Sequence, residues 1–396
     1  MVRYIDEIDI KGKALLIRVD FNVPLDESGT VTNDVRIRGV LPTIAYALDQ
    51  GAKVILMSHV GRPKGKVVDS MSLRPVAAYL SGLLKQEVIM APDCVGPEVE
   101  KLAHAMKPKD VMLLENLRFY PEEEKNDEGF AKKLSALADI YVNDAFAVSH
   151  RAHASVAAVT KFFDICVGGL LMKKELTYFD KAVTNPERPV VAILGGAKVS
   201  DKIGALENLL EKVDALLIGG AMSSTFLVAT GCNMGDSLVE SDRVDQARGL
   251  IEKARRMGKK LVLPVDVVAA DKKEAQAQTK VVSAGEVPEH WMSLDIGPRT
   301  IKLFGEALKG AKTVIWNGPM GVFEMEAFSR GTFAIASDVA DSGALSIVGG
   351  GDTDAAIEKA GKLSKISFVS TGGGAFIELL EGKKLPGVEA LEQKAA

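Results

Sequence analysis

Residues 190–220 read VVAILGGAKVSDKIGALENLLEKVDALLIGG: an apolar β-rich run, a glycine turn, a segment of helical length, and a second apolar run that again ends in glycines. Strand, turn, helix and strand in that order make the unit from which parallel sheets with crossover helices are built. Outward from it the same alternation continues in both directions. Upstream lie ALLIRVD (14–20), KVILMS (53–58), VMLLE (111–115) and DIYVND (139–144); downstream lie KLVLPVD (260–266), TVIWNG (313–318), LSIVGG (345–350) and ISFVST (366–371). The two sets are separated by LMKKELTYFDKAVTNPERP (171–189), in which Leu176, Phe179 and Val183 recur at helical spacing before Asn185 and Pro186 stop the pattern. A chain of 396 residues is long for one core, so the reading is two α/β domains joined by a helix. The expected bounds are 1–170, a linking helix over 171–186, 187–380, and a tail over 381–396 whose Pro-Gly break and short amphipathic piece are expected to pack back on the first domain.

Composition narrows the function. The charged start, MVRYIDEIDIKGK, has no apolar core of a signal peptide. The uncharged stretch Ala215–Gly235 is diluted by Gly219, Gly220, Ser223, Ser224, Thr225 and Thr230, and reads as a strand, a turn and a helix start rather than a membrane span. Cys94, Cys166 and Cys232 are far apart with no CxxC, which fits a reducing cytoplasm. A formal net charge of -4, evenly spread, argues against nucleic acid, so an anion site must come from a few basic residues gathered by the fold. PEEEKNDEG (121–129), the one acidic run, reads as a solvated surface loop.

In open α/β sheets ligands bind beyond the carboxyl ends of the strands. The first strand leaves as RVDFNVP, where Arg18, Asp20 and Asn22 share one face. That face is either solvated or ligand-binding. Arg36 and Arg38 follow it, and later strand exits add His59 and Arg62, Arg118, and His150, Arg151 and His153. Arginines at successive strand ends converge on one crevice, where guanidinium forks suit phosphate and carboxylate oxygens. A zinc site is disfavoured, because no carboxylate or cysteine stands near these histidines at ligand spacing.

The second half instead places glycines after its strands, at LGGAKVSDK (194–202), IGGAM (218–222), GGGDTDAA (349–356) and STGGGAF (370–376). Such turns let backbone N–H groups approach a phosphate, and Ser370 and Thr371 are placed to cap a helix that opens on glycine. Lys198 and Lys202 share a face if AKVSDK begins a helix; Asp352 reads first as a helix cap and second as a magnesium ligand. The P-loop, dinucleotide and protein-kinase signatures are absent. A dinucleotide-dependent dehydrogenase and a non-catalytic binding protein for phosphorylated metabolites stand as the rival readings.

Taken in order, RVDFNVP, SHVGRP, LLENLRF, HRAH, GGAKVSDKI, WNGPMGVFE, GGGDT and STGGGA resemble the phosphoglycerate kinase family, collinearly through LLEGKKLPGVEAL near the end. The resemblance implies two Rossmann-like three-layer domains with largely parallel sheets and a hinge helix. It also implies transfer of a phosphoryl group from 1,3-bisphosphoglycerate to ADP, directly and in line, in a cleft closed by hinge bending. Asp20, Phe21, Asn22, His59, Val60, Gly61, Arg62, Arg118 and Arg151 would bind 3-phosphoglycerate, with Arg36 at the reacting carboxyl group. Gly195, Lys202, Gly219, Ser293, Leu294, Asn317, Pro319, Glu324, Gly350, Gly351 and Thr353 would bind MgADP or MgATP, with Asp352 on Mg2+. Lys198 and Gly372, Gly373 and Gly374 would face the transferred group. The resemblance further implies a cytoplasmic monomer whose partners are small molecules, with no nucleic acid or membrane. Two departures, Ala221 in GGAM and Ser293 before LDIGP, bear on nucleotide affinity or base preference rather than on the reaction.

Overall fold

The computed structural model describes residues 1–395. The chain forms two compact units, Met1–Leu176 with the tail from Lys384, and Thr177–Lys383. The helix Leu170–Phe179 crosses the boundary between them along the chain.

In the first unit the strands are β1 (Ala14–Arg18), β2 (Lys53–Met57), β3 (Val88–Met90), β4 (Val111–Leu113), β5 (Ile140–Asn143) and β6 (Cys166–Gly168). They pair in the order β3-β4-β2-β1-β5-β6, and every pairing is parallel. Period-two alternation sorts their side chains onto two buried faces. Leu15, Ile17, Val54 and Leu56 pack with Ile37 and Ile44 of the helix Val35–Asp49 and with Leu80 of the helix Arg74–Leu84. Leu16, Ile55 and Met57 face the other way, toward Val99, Phe130 and Leu391. The result is three layers with all six carboxyl ends on one edge.

The second unit holds β7 (Val190–Leu194), β8 (Ala215–Ile218), β9 (Lys260–Val262), β10 (Asp266–Ala270), β11 (Thr279–Ser283), β12 (Met292–Ile296), β13 (Thr313–Asn317), β14 (Leu345–Gly349) and β15 (Phe368–Ser370). Six of them form a parallel sheet in the order β15-β14-β13-β7-β8-β9. Chain order runs outward in opposite directions from β7 and β13, so the strand order reverses between them. Val191, Ile193, Val314 and Trp316 form one core with Phe304, Ile335 and Ile357. Leu206, Leu210 and Phe376 are also buried.

The run KLVLPVD, read as one strand, is two. Pro264 has no N–H to give a ladder, and β9 stops before it. β10 then joins a small antiparallel sheet, β11-β10-β12, that the parallel pattern did not announce. The acidic run is not a solvated loop either: Pro121–Glu124 is a short helix, and Glu123 is fully buried. Among the described residues no helix is long and apolar enough to cross a membrane.

Candidate active site

At the carboxyl edge of the first unit, the segments after β1, β2, β4 and β5 are bonded to one another. Asn22 Oδ1 accepts the Gly61 N–H at 2.9 Å, and Asp20 Oδ1 accepts the Asn22 N–H at 3.1 Å. Arg36 donates to Asp20 Oδ2 at 2.6 Å and to the Asn22 carbonyl at 3.3 Å. Gly61 carries φ +65, and a Cβ there would meet Met71 Sδ at 2.9 Å, so this turn is built for glycine. Its carbonyl accepts Arg118 Nη1 at 2.9 Å.

Arg118 is buried, and its Nε and Nη2 have no hydrogen-bond acceptor among the described residues. Its nearest anion is Glu124, 3.3 Å from Nε. Burial, together with Arg151 and Arg18, draws its guanidinium below the usual value, but an arginine stays charged. A buried cation with donors that the protein does not satisfy is chemically suited to an anion. Burial and the charges of Arg18, Arg118 and Arg151 push His59 well below its ordinary value, and burial with the same neighbours takes His153 to about 3. Both rings are therefore neutral at pH 7, and the positive field comes from arginines alone.

The other expected residues stand around this edge in different settings. Phe21 is a core side chain, and only its N–H, bonded to Ser58 Oγ at 2.8 Å, faces the turn. Val60 is buried, with its carbonyl held by Asn116 Nδ2 at 2.8 Å. Arg62 is exposed. Arg38 pairs with Asp34 at 2.7 Å on the helix surface. Asn116, which also donates to the Met71 carbonyl at 2.9 Å, fixes the loop after β2; nothing in the sequence marks it, because an asparagine past a strand end has the composition of an ordinary turn.

In the second unit a cavity of about 490 Å³ is lined by Ser293, Leu294, Pro319, Glu324 and Asp352, and also by Ala221 and Lys273. Its floor is the point where the strand order reverses. Gly195 N–H donates to the Asn317 carbonyl at 2.9 Å and Gly196 N–H to the Pro319 carbonyl at 3.0 Å. A Cβ on Gly195 would lie 2.2 Å from the Pro319 oxygen, and one on Gly219 would lie 2.4 Å from Met320 Sδ. These glycines permit close backbone approach beneath the cavity rather than line it.

Lys198 and Lys202 do not form a helical stripe, because the helix begins at Ile203 and Lys202 is its N-cap residue. Lys198 is exposed. Lys202 turns inward, and its Nζ donates to Asn317 Oδ1. Asn317 Nδ2 in turn donates to the Gly349 carbonyl at 2.5 Å, while Thr353 Oγ1 accepts the Gly318 N–H at 2.7 Å. Burial lowers the Lys202 ammonium to about 8, against the opposing pull of Asp201 and Asp352.

Asp352 does not cap its helix. Gly350, at φ +109, is the N-cap of Gly351–Lys359, and Asp352 projects exposed from the first turn. Nor do Ser370 and Thr371 cap the helix Gly374–Leu380, whose N-cap is Gly373; Ser370 Oγ instead accepts the Gly372 N–H at 3.1 Å and shapes the turn. That turn lies at the same carboxyl edge, two strands from β13.

Among the described residues no three His, Cys, Asp or Glu side chains are arranged to hold a metal ion. An exposed carboxylate beside glycine turns, as Asp352 is, fits magnesium, which is commonly held by one or two carboxylates plus substrate phosphates. The chemistry available is thus an arginine crevice suited to a small anion in one unit, and in the other a largely apolar cavity bordered by glycine turns, Lys273 and carboxylates that include Glu324 and Asp352.

A sequence model of the phosphoglycerate kinase family matches residues 5–383. Phosphoglycerate kinase of Geobacter metallireducens is 62% identical over 393 residues, covering 99% of each chain. The cytosolic phosphoglycerate kinase of Triticum aestivum is 58% identical over 390 residues, 98% of this chain and 97% of its own. Among solved structures, phosphoglycerate kinase from Coxiella burnetii superposes with a TM-score of 0.93 at 43% identity, covering 100% of both chains. With a family model over nearly the whole chain, relatives matched from end to end and the same fold, the chain belongs to the phosphoglycerate kinase family and is a phosphotransferase.

Proposed function

We propose a division of labour for this family's reaction, the reversible transfer of a phosphoryl group between 1,3-bisphosphoglycerate and ADP that yields 3-phosphoglycerate and ATP. The unit bearing β1 to β6 binds phosphoglycerate: Arg118, Arg62, Arg151 and His59 take its phosphate, Asp20 and Asn22 its hydroxyl region, and Arg36 its carboxyl group. The unit bearing β7 to β15 binds the nucleotide. Leu294, Ser293, Pro319 and the Gly195 and Gly219 floor surround the adenosine, and Glu324, Lys202, Asn317, Thr353 and the Gly350–Gly351 turn hold its polar groups and phosphates. Asp352 would hold Mg2+, which neutralises phosphate charge when bound with the nucleotide. Lys198 and Gly372–Gly374 meet the group in transfer. The observation that carries this reading is Arg118, buried and charged, with Nη2 and Nε lacking hydrogen-bond acceptors and only Glu124, 3.3 Å from Nε, as a countercharge.

A carboxylate acceptor is already ionised near neutrality, so no general base is required. Catalysis reduces to alignment and to stabilising charge on the equatorial oxygens, for which Arg36, Lys198 and backbone N–H groups suffice as the protein's share. Direct transfer demands that acceptor and donor meet in line, so we include closure during turnover in the proposal. Solution scattering should show compaction with both substrates bound, and unchanged dimensions would count against closure. A cytoplasmic monomer completes the reading; light scattering of the purified chain tests the monomer.

The deciding experiment is a coupled assay of ATP consumption. Turnover should require both 3-phosphoglycerate and magnesium. Arg118→Ala should raise the KM for phosphoglycerate tenfold or more, by order of magnitude, with a smaller change in kcat, because it removes binding common to ground and transition states. ATP turnover indifferent to phosphoglycerate would end the reading.

A further inference from the structure

Behind the arginine crevice lies a fully buried acid, Glu123, that the reaction itself does not use. Its carboxylate accepts the Ser155 N–H at 2.9 Å and the Ser155 hydroxyl at 2.6 Å. The same hydroxyl oxygen accepts Arg18 Nε at 2.9 Å, and Arg18 Nη2 lies 3.2 Å from His59 Nδ1. Tyr141 steadies the serine by donating to its carbonyl at 2.9 Å. Arg18, Ser155 and His59 are all buried, so water does not compete along this chain.

The direction of every bond is dictated by chemistry. An ionised carboxylate only accepts, so the Ser155 hydroxyl must give it the proton and offer its lone pair to Arg18. A guanidinium only donates, so His59 Nδ1 must accept. In a neutral imidazole that leaves the proton on Nε2. The far end of the chain is thereby fixed as a hydrogen-bond donor, the form suited to a phosphate or carboxylate oxygen.

We propose that Glu123 and Ser155 are positioning residues of the phosphoglycerate pocket: through Arg18 they lock His59 in its Nε2–H tautomer and set the plane of the ring. This rests on the assignment of His59 to phosphoglycerate made above. Glu123 also supplies a buried countercharge where Arg18, Arg118 and Arg151 would otherwise stand together, which is the condition for a buried cation to be tolerated.

The test combines calorimetric titration of 3-phosphoglycerate, without nucleotide, with nitrogen NMR of the histidine rings in the full chain. Glu123→Gln places an amide donor against a serine donor, and Ser155→Ala cuts the chain while leaving the acid in place. Each should weaken 3-phosphoglycerate about tenfold, the scale of loosening one hydrogen bond to a charged group. Each should also release His59 into a tautomer mixture and leave the KM for ADP unmoved. The double variant should be no worse than the poorer single, because both act on one chain.

The inference falls if either folded variant binds 3-phosphoglycerate as tightly as the parent, if the two losses multiply, or if ADP and phosphoglycerate weaken together. Should Glu123→Gln fail to fold, Ser155→Ala alone decides by the same criteria. Arg118→Ala separates the two levels: if it too leaves 3-phosphoglycerate binding intact, the pocket assignment is wrong. If it weakens binding while the other two do not, only the positioning role is lost.

Discussion

Arg36 is held by Asp20 in a 2.6 Å ion pair with the guanidinium 37% exposed. It can therefore exchange the aspartate for a substrate oxygen without crossing a core. If it stabilises charge in the transition state, Arg36→Ala should lower kcat by roughly a hundredfold or more, and an unchanged kcat would remove it from that role. Lys202 makes a prediction of a different kind. Its ammonium, lowered to about 8 by burial, is charged at pH 7 and loses its proton as pH rises through that value. A bound phosphate favours the charged form, so ADP affinity should fall above pH 8, with proton uptake on binding in that range. Calorimetry in buffers of differing ionisation enthalpy reads the uptake, and Lys202→Met should abolish it. The burial of Arg18 and Arg118 was foreshadowed by their place at the ends of apolar strands, whereas Arg38, read beside them, pairs with Asp34 on the helix surface. The inward turn of Lys202 and the burial of Glu123 were not legible, because each sits in a run of charge whose default reading is solvation.

Among the elements, strands whose alternation served two buried faces were readable, as β1, β2, β7 and β13 show. The small antiparallel sheet was not, since β11 is mostly exposed and β12 only half-buried, leaving little hydrophobic pattern to find. What anchors β12 is polar. Asp295 accepts the Gly331 N–H at 2.7 Å and the Ile296 N–H at 2.9 Å, tying the strand to the first turn of the helix Arg330–Asp341. A Cβ on Gly331 would come within 2.3 Å of the carboxylate, so the helix approaches as closely as glycine allows. Burial raises the Asp295 carboxyl to about 7, above its value near 3.9 in the unfolded chain. The folded state then binds the extra proton, and the stability this group contributes is full below about pH 4 and is lost as pH climbs to 7 and beyond. Asparagine does not ionise, and although its amide nitrogen forfeits one of the two backbone N–H bonds, that loss is the same at every pH. Asp295→Asn should therefore gain on the parent as pH rises from 5 to 7.5, by at most about 2.5 kcal/mol. Urea midpoints of both proteins at the two pH values give the comparison, and a constant difference would refute the assignment.

At the scale of the molecule, the first unit is closed by the far end of the chain. A short amphipathic piece of this kind carries no address in its own pattern, because an apolar stripe of one or two turns fits any exposed sheet face. In the structure Leu391 is fully buried in the core formed by Val2, Tyr141, Val159 and Phe163. Gly387 N–H donates to the Ser149 carbonyl at 2.8 Å, and a Cβ at Gly387 would stand 2.7 Å from Val156 Cγ1. The tail thus grips the segment that carries His150, Arg151 and His153, and couples the stability of the first unit to its anion pocket. Leu391→Ala should cost about 2–5 kcal/mol, the usual range for emptying a buried leucine site. That loss belongs to the first unit, so the denaturation profile should divide into two transitions, with the earlier one moved. Phosphoglycerate, binding only the native form, should pull that transition back by mass action, whereas ADP should stabilise the later one. Equal protection of both transitions by either ligand would mean that the units do not unfold separately, and the assignment of one substrate to each would lose its thermodynamic support.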